Sequence, residues 1–126
     1  MNRLHNPDAG MLILRVVVGL VFLVHGWSKV GNMDGTIAFF GTLGFAPVFA
    51  YLVAWVEVLG GIAIIAGVYA RHAALLAAIV ALVAVVKVHL PNGFTGAGGY
   101  EFALLLAVGA LAVVLVGPGR HVLRKD

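Results

Sequence analysis

The chain alternates between long apolar blocks and short polar stretches, without the two-residue period of a β-strand. Four apolar blocks span about residues 11–29, 48–69, 73–89 and 100–116. A helix needs about 20 mainly apolar residues to cross a bilayer, and short connections make consecutive helices antiparallel. The pattern therefore predicts an all-α membrane protein, an antiparallel four-transmembrane-helix bundle that forms one domain over residues 1–126.

Glycine and proline mark the borders of these blocks. Pro47 precedes the second block and suits the first turn of a helix, whereas Gly117-Pro118-Gly119 ends the fourth. The glycine-rich stretches 31–47 and 91–99 are predicted to be loops. The first block resembles a signal peptide in position, but Arg15 interrupts it and no small-x-small cleavage motif follows Trp27, so we interpret it as a retained helix.

Composition excludes several functional classes. The chain is 63% hydrophobic and 10% charged, which is typical of an integral membrane protein, and four spans leave no room for a separate soluble catalytic domain. The absence of cysteine excludes disulfides, thiolate metal sites and a thiol relay within this chain. No basic cluster is interleaved with aromatic residues, so nucleic acid is not an expected partner, and no metal site is predicted.

The distribution of basic residues predicts the orientation. Only Lys29 and Lys87 lie on one side of the four predicted spans, and the other side carries Arg3, Arg71, Arg120, Arg124 and Lys125. Cytoplasmic loops carry the excess of lysine and arginine. We therefore expect both termini in the cytoplasm, with anionic lipid headgroups as partners of the basic residues.

Ionisable residues cluster at the opposite ends of the spans. A charged side chain at the bilayer centre costs roughly 2.5 to 3.5 kcal/mol on insertion scales, so such residues have partners or a function. We predict a polar site at one mouth of the bundle, formed by His25, Lys29, Glu57, Lys87, His89 and Glu101.

Helical spacing suggests one further contact. Arg15, Gly26 and Lys29 fall on one face of the first span, and Glu57 lies beside small residues on the second. Both faces are expected to point into the bundle. Counting 1.5 Å per residue from the helix ends places Arg15 within reach of Glu57, which predicts an Arg15–Glu57 pair.

Each polar residue also has a purely structural interpretation. Lys29 and Lys87 can extend to the headgroups, Glu101 can stabilise a helix N-terminus, and Glu57 can form a structural salt bridge with Arg15. His25 and His89 suggest bis-histidine haem ligation, because helical bundles hold haem in that way. Neither histidine lies deep in a span and no attachment motif is present, so haem is disfavoured.

The order of these residues resembles the DoxX family of small four-helix bacterial membrane proteins, and the likeness covers almost the whole chain. Its first half comprises Leu14-Arg15, Gly19, Phe22, His25-Gly26, Lys29, Phe39-Phe40, Gly44, Pro47, Glu57, Gly60-Gly61, Gly67 and Arg71. Its second half comprises His89, Asn92-Gly93-Phe94, Gly99-Tyr100-Glu101 and Gly117-Pro118-Gly119-Arg120.

The resemblance implies a subunit of a redox system in a bacterial or archaeal plasma membrane. One branch of the family is similar to the large subunit of an archaeal thiosulfate:quinone oxidoreductase, and a mycobacterial relative is linked to a membrane complex with superoxide dismutase and a sulfurtransferase. On this basis quinone is the expected cofactor, and soluble or membrane redox proteins are expected partners. Glu57, His25 and Lys29 are the candidate catalytic residues, and the candidate cofactor-binding residues are Arg15, His25, Lys29, Lys87, His89 and Glu101.

Two other functions stay open at this point. The glycine and alanine faces suit a scaffold or assembly factor that binds partner helices or a second copy of the chain. Lys29, Lys87 and the histidines suit a small anion transporter. Because the chain has no cysteine and no haem or flavin motif, we do not expect a self-sufficient enzyme.

Overall fold

The computed structural model describes residues 2–124, and this part of the chain is all-helical. Lys125, which contributed to the predicted orientation, lies outside the described residues. After a 3₁₀ turn at Asn2–Leu4 come five α-helices: α1 (Pro7–Val30), α2 (Met33–Thr42), α3 (Pro47–Ala66), α4 (Ala70–Ala84) and α5 (Glu101–Val116). A π-helical turn at Val85–His89 and a 3₁₀ turn at Leu90–Asn92 continue α4.

Local sequence signals explain where the helices begin. The side chain of Asn6 accepts a hydrogen bond from the Ala9 N–H at 3.1 Å, and Pro7 occupies the first turn of α1. Asn32 accepts from the Gly35 N–H at 3.2 Å and caps α2 in the same way. The prediction of a loop over residues 31–47 was therefore wrong, because its glycine content hid a capped ten-residue helix.

The apolar helices have the lengths of a membrane bundle. Pro7–Val30, Pro47–Ala66 and Ala70–Asn92 are long and apolar enough to cross a bilayer. The fourth apolar helix, α5, has 16 residues and is about 24 Å long at 1.5 Å per residue, shorter than a typical hydrocarbon core. The predicted fold class, an all-α helical membrane bundle, is confirmed.

Glycines bring α1 and α3 into direct backbone contact. A Cβ on Gly19 would lie 2.7 Å from the Gly61 carbonyl oxygen, and one on Gly26 would lie 2.9 Å from the Ala54 carbonyl oxygen. The contact on α3 moves towards its N-terminus as the contact on α1 moves towards its C-terminus, so the two helices are antiparallel. Only hydrogen at these glycine positions allows this approach, which fixes the register between α1 and α3.

Alanine provides most of the contacts of α4 with its neighbours. Small side chains let helices approach closely, and in a membrane this packing replaces the hydrophobic effect as the driving force for association. The buried residues of α4 are Ala70, Ala73, Ala74, Ala77, Ala78 and Ala81. All of them except Ala70 join Phe22, Ile64, Ala107, Ala110 and Val113 in the main core cluster.

The C-terminal segment folds back onto one end of the bundle. The Leu123 N–H donates to the Ala66 carbonyl at 3.0 Å, and the Arg120 N–H donates to Asp8 Oδ1 at 2.9 Å. We call this the termini end, formed by residues 2–6, 67–69 and 117–124. The opposite end, formed by residues 31–46 and 85–100, is called the cavity end.

Candidate functional site

A cavity of about 750 Å³ opens at the cavity end. It lies between the last turn of α1, helix α2, the first half of α3 and the second half of α4 with its π-helical turn. Four of the predicted site residues line it: Lys29, Glu57, Lys87 and His89. The cavity therefore gathers ionisable groups that are up to 60 residues apart in the sequence.

An ion pair forms the polar part of the cavity. Lys29 Nζ lies 2.6 Å from Glu57 Oε1. The Glu57 side chain is 8% exposed, whereas that of Lys29 is 26% exposed, so the carboxylate is held in the interior and the ammonium group faces the opening. Burial of a charge is costly without a partner, and Lys29 supplies the opposite charge.

The glycine contact between α1 and α3 places this pair. Gly26 lies against α3 so closely that a Cβ there would meet Glu57 Cβ at 2.8 Å. Lys29 follows three residues later, on the same face of α1, and its side chain therefore reaches the carboxylate of the facing helix. The register imposed by glycine sets which basic residue meets Glu57.

The predicted Arg15–Glu57 pair is wrong. Arg15 is fully buried near the termini end, where its guanidinium donates to the carbonyl oxygens of Ile64, Ile65, Pro118 and His121 at 2.8 to 3.0 Å. Ile64 and Ile65 lie seven and eight residues after Glu57 on α3, or about 11 Å further along the axis. Counting from predicted helix ends missed the register that the glycines impose. Arg15, which was also a candidate cofactor-binding residue, is distant from the cavity.

Arg15 joins three segments at the termini end. Its Nε and Nη2 bind the last carbonyls of α3, and its Nη1 binds the C-terminal segment. A cation is favourable at a helix C-terminus, where carbonyls lack intrahelical partners. Gly67, with φ of +74°, ends α3, and a Cβ at this position would lie 2.8 Å from Arg15 Nη2. We assign Arg15 a structural role.

Phenylalanines form the apolar wall of the cavity. The rings of Phe40 and Phe45 lie 6.0 Å apart between centroids, and those of Phe45 and Phe49 lie 5.7 Å apart. Phe39 continues the series on α2. Lys87 Nζ lies 6.0 Å from the centroid of the Phe45 ring, at the limit of a cation–π contact. A flat aromatic ligand therefore has aromatic neighbours with which it can stack.

Sequence reasoning missed this wall because α2 was predicted to be a loop. The signals were present: Asn32 is a capping residue, and Asp34 occupies the first helical turn, where an acidic side chain is favourable. Thr36 then ties α2 to α1, because its Oγ1 donates to the Asn32 carbonyl at 2.9 Å and lies 3.3 Å from that of Lys29. Helix α2 is thereby held against the end of α1 and lines one side of the cavity.

His89 lies on the π-helical turn at the rim of the cavity. Its Nδ1 lies 2.9 Å from the Gly98 carbonyl oxygen, which also accepts a hydrogen bond from Asn92 Nδ2 at 3.0 Å. π-Helical turns inside α-helices frequently mark functional sites. The contact with Gly98 fixes the ring of His89 against the loop that precedes α5.

His25 and Glu101 lie apart from the cavity lining. The His25 ring stacks on Phe102 of α5, with centroids 5.8 Å apart and 29° between the ring planes. Glu101 is exposed in the first turn of α5, where a carboxylate stabilises the helix dipole. Neither residue contributes to the wall around Lys29 and Glu57.

A second concavity, of about 660 Å³, lies between α3 and α4 and is lined by apolar and aromatic residues such as Leu52, Trp55 and Leu76. It carries no charged side chain and suits lipid chains. Among residues 2–124, no three histidine, aspartate or glutamate side chains are grouped so that they could hold a metal ion. The cavity with the ion pair is therefore the candidate site.

The family model named DoxX matches residues 10–90. The chain belongs to the DoxX family. The matched range runs from α1 to the end of the π-helical turn, so it contains all four ionisable residues of the cavity, whereas Glu101 lies beyond it.

Curated relatives of this DoxX protein carry names of two kinds. It is 38% identical over 99 residues to "Putative oxidoreductase CatD" of Bacillus subtilis (strain 168), which covers 79% of this chain and 74% of the relative. It is 29% identical over 116 residues to "Inner membrane protein YqjF" of Escherichia coli (strain K12), which covers 90% and 88%. "Inner membrane protein YphA" of the same organism is 36% identical over 60% of each chain. No solved structure gives a significant match.

Proposed function

We propose that this DoxX protein is an integral membrane subunit of a quinone-linked redox system, and that its cavity binds the quinone head group. The observation that carries the proposal is the ion pair between Lys29 and the buried carboxylate of Glu57, inside a cavity walled by phenylalanine rings. The name of the Bacillus subtilis relative, an oxidoreductase, supports the same class of function.

The residues present fit such a ligand. Small-molecule sites are typically 300 to 1,000 Å³, mostly apolar, with a few polar groups that fix orientation. This cavity has a volume of about 750 Å³ and aromatic walls suited to a planar ring. Its ion pair is confined to one part of the lining. Leu52, Ile79 and Val83 line the side formed by α3 and α4, where an isoprenoid tail would find apolar contacts.

The side chains have distinct tasks in this proposal. Lys29 carries an ammonium group whose N–H donors can bind an oxygen of the ring. Glu57 accepts or returns a proton at Oε1, and His89 at the rim exchanges protons with water. Lys87 adds a second positive charge near the opening. When bound, a quinone supplies the electron chemistry that this cysteine-free chain lacks.

The proposal assigns roles to only some of the predicted site residues. His25 stacks on Phe102 outside the cavity lining, so we assign the donor role to Lys29. Arg15 holds the termini end together and is not assigned a ligand. The glycine and alanine faces that favoured a scaffold are used inside the bundle, at the α1–α3 contact and in the packing of α4.

We also propose that the termini end faces the cytoplasm of the plasma membrane. Arg71, Arg120 and Arg124 lie in or next to the residues that form this end, and arginine-rich ends stay in the cytoplasm. The cavity then opens near the outer face of the membrane. Redox partner proteins would meet the cavity end, because electrons must reach the ligand from that side.

The test is co-purification of quinone with the protein from its native membrane. Wild type, Glu57→Gln and Asp34→Asn are extracted in the same mild detergent, and bound quinones are quantified by liquid chromatography and mass spectrometry. Asp34 is an exposed carboxylate on α2 that does not line the cavity, so its amide variant makes the same chemical change outside the site.

We expect near-stoichiometric quinone with wild type and with Asp34→Asn, and a large loss with Glu57→Gln. Detergent alone carries some quinone, so a detergent-solubilised membrane protein without a ligand site provides the background. Equal quinone in all three variants, at the level of that background, would refute the proposed function.

A further inference from the structure

Oxygen Oε1 of Glu57 lacks an aligned hydrogen-bond donor within residues 2–124. Lys29 Nζ forms an ion pair with this oxygen at 2.6 Å, and no hydrogen bond joins the two atoms. The whole Glu57 residue, backbone included, is 6% exposed, and it lines the cavity. The charge of this buried oxygen is compensated by Lys29, but its capacity to accept a hydrogen bond is unused, so a donor on a ligand in the cavity would satisfy it.

The chemistry of the two charged groups defines what can supply that donor. A carboxylate only accepts hydrogen bonds, and an ammonium group only donates them. A hydroxyl group does both, so one ligand hydroxyl can accept from Lys29 and donate to Glu57 at the same time. A ketone oxygen can satisfy only Lys29, and its lone pairs would face those of Oε1.

His89 presents the same preference at the rim. Its Nδ1 contacts the Gly98 carbonyl oxygen, which can only accept, so the proton of the neutral ring resides on Nδ1. The other ring nitrogen, Nε2, is then an acceptor. His89 lines the cavity, so its neutral ring adds a second side chain with an acceptor atom to the lining, on the π-helical turn after α4.

We infer that the cavity selects the hydroxyl form of its ligand, an aromatic diol such as a quinol, over the corresponding quinone. The inference rests on the proposed function for the identity of the ring, and adds which redox state the site holds. A quinol that occupies this site is the product of quinone reduction, so quinone reduction is the class of reaction that supplies it.

The test compares pairs of similar ring ligands, of which one member can donate a hydrogen bond and the other cannot. The full chain is reconstituted in nanodiscs, and binding of 1-naphthol and 1-methoxynaphthalene is measured after subtraction of partition into empty nanodiscs. Duroquinol and duroquinone are compared in the same way under anaerobic conditions. Both comparisons are repeated with Glu57→Gln and Asp34→Asn.

We expect wild type to bind the naphthol at least tenfold more tightly than its methyl ether, as a charge-assisted hydrogen bond would give, and the quinol more tightly than the quinone. In Glu57→Gln the preference should fall to less than about threefold, because an amide oxygen is a weaker acceptor than a carboxylate. Asp34→Asn should keep the wild-type preference. The wild-type comparison decides the matter even if Glu57→Gln does not fold.

The inference would be overturned if wild type bound the methyl ether as tightly as the naphthol, and the quinone as tightly as the quinol, or more tightly. Quinone binding itself would then stand. A preference for the hydroxyl probes that is unchanged in a folded Glu57→Gln variant would also overturn it. Failure of every ring to bind would refute the proposed function and the inference together. A hydroxyl preference without endogenous quinone would support the inference and contradict the proposed function.

Discussion

The same substitution, glycine to alanine, should have opposite effects at two positions of α1. At Gly26 an added Cβ would lie 2.7 Å from the Val58 backbone nitrogen and 2.9 Å from the Ala54 carbonyl oxygen. These are backbone atoms, which cannot move without displacing α3. At Gly10 nothing lies within 4 Å of the added atom. The pair therefore separates the effect of close packing from that of helix propensity.

The magnitudes follow from general values. Forcing a methyl group into a well-packed contact costs about 1 to 3 kcal/mol. Replacing glycine by alanine inside a helix recovers about 0.5 to 1 kcal/mol. For Gly26→Ala we expect a net loss of about 1 to 2 kcal/mol in the free energy of unfolding. For Gly10→Ala we expect a gain of up to about 1 kcal/mol, since only the propensity term applies.

The assay is unfolding by sodium dodecyl sulfate in mixed micelles, followed by circular dichroism, with both variants measured beside wild type. Because Gly26 lies against Glu57, the displaced helix should also widen the Lys29–Glu57 contact and weaken ligand binding in the Gly26 variant alone. A Gly26→Ala protein as stable as the Gly10→Ala protein would refute the close α1–α3 contact and the register that depends on it.

Two other predictions test the opposite end and the orientation. Arg15→Met should lower the free energy of unfolding by about 2 to 4 kcal/mol, because four carbonyls lose their donor while a buried charge is removed. The stability of Arg15→Lys should lie between those of wild type and Arg15→Met, since lysine keeps the charge but lacks the planar fork of arginine. Sodium dodecyl sulfate unfolding measures both. In intact cells, a membrane-impermeant maleimide should label Ala97→Cys but not Leu123→Cys, two exposed positions in a chain without native cysteine.

Each of these has a clear contrary result. An Arg15→Met protein with wild-type stability would mean that the four carbonyls find other donors and that Arg15 does not join the three segments. Labelling of Leu123→Cys in intact cells, with Ala97→Cys protected, would reverse the proposed orientation. Permeabilised cells provide the control, because both cysteines should then react.

Some of the site followed from the sequence, and some depended on packing. Helical periodicity and the energetic cost of placing charges in a membrane identified residues that need partners. Four of them line the cavity: Lys29, Glu57, Lys87 and His89. The pairing was mispredicted because two basic residues, Arg15 and Lys29, share one face of α1. The choice between them depends on the axial register of α1 against α3, which a single helix does not encode.

The cavity wall illustrates a second limit of sequence patterns. Helix α2 is short and glycine-containing, so its composition is that of a loop, although Asn32 caps it and Asp34 stabilises its first turn. The phenylalanines of residues 39–49 form one wall of the cavity only when α2 is folded against α3. Local signals existed for the helix, but nothing local places it over the ion pair.

The amino-acid sequence by itself determined that this is an all-α membrane protein, because hydrophobic length and intramembrane charge are one-dimensional properties. The order of its motifs carried the resemblance to the DoxX family. Only the tertiary structure decided which charges meet. Glu57 pairs with Lys29, and Arg15 binds backbone carbonyls, because Gly19, Gly26 and Gly61 let two backbones touch and thereby set the register. Contacts between distant residues depend on such packing, and packing exists only in three dimensions.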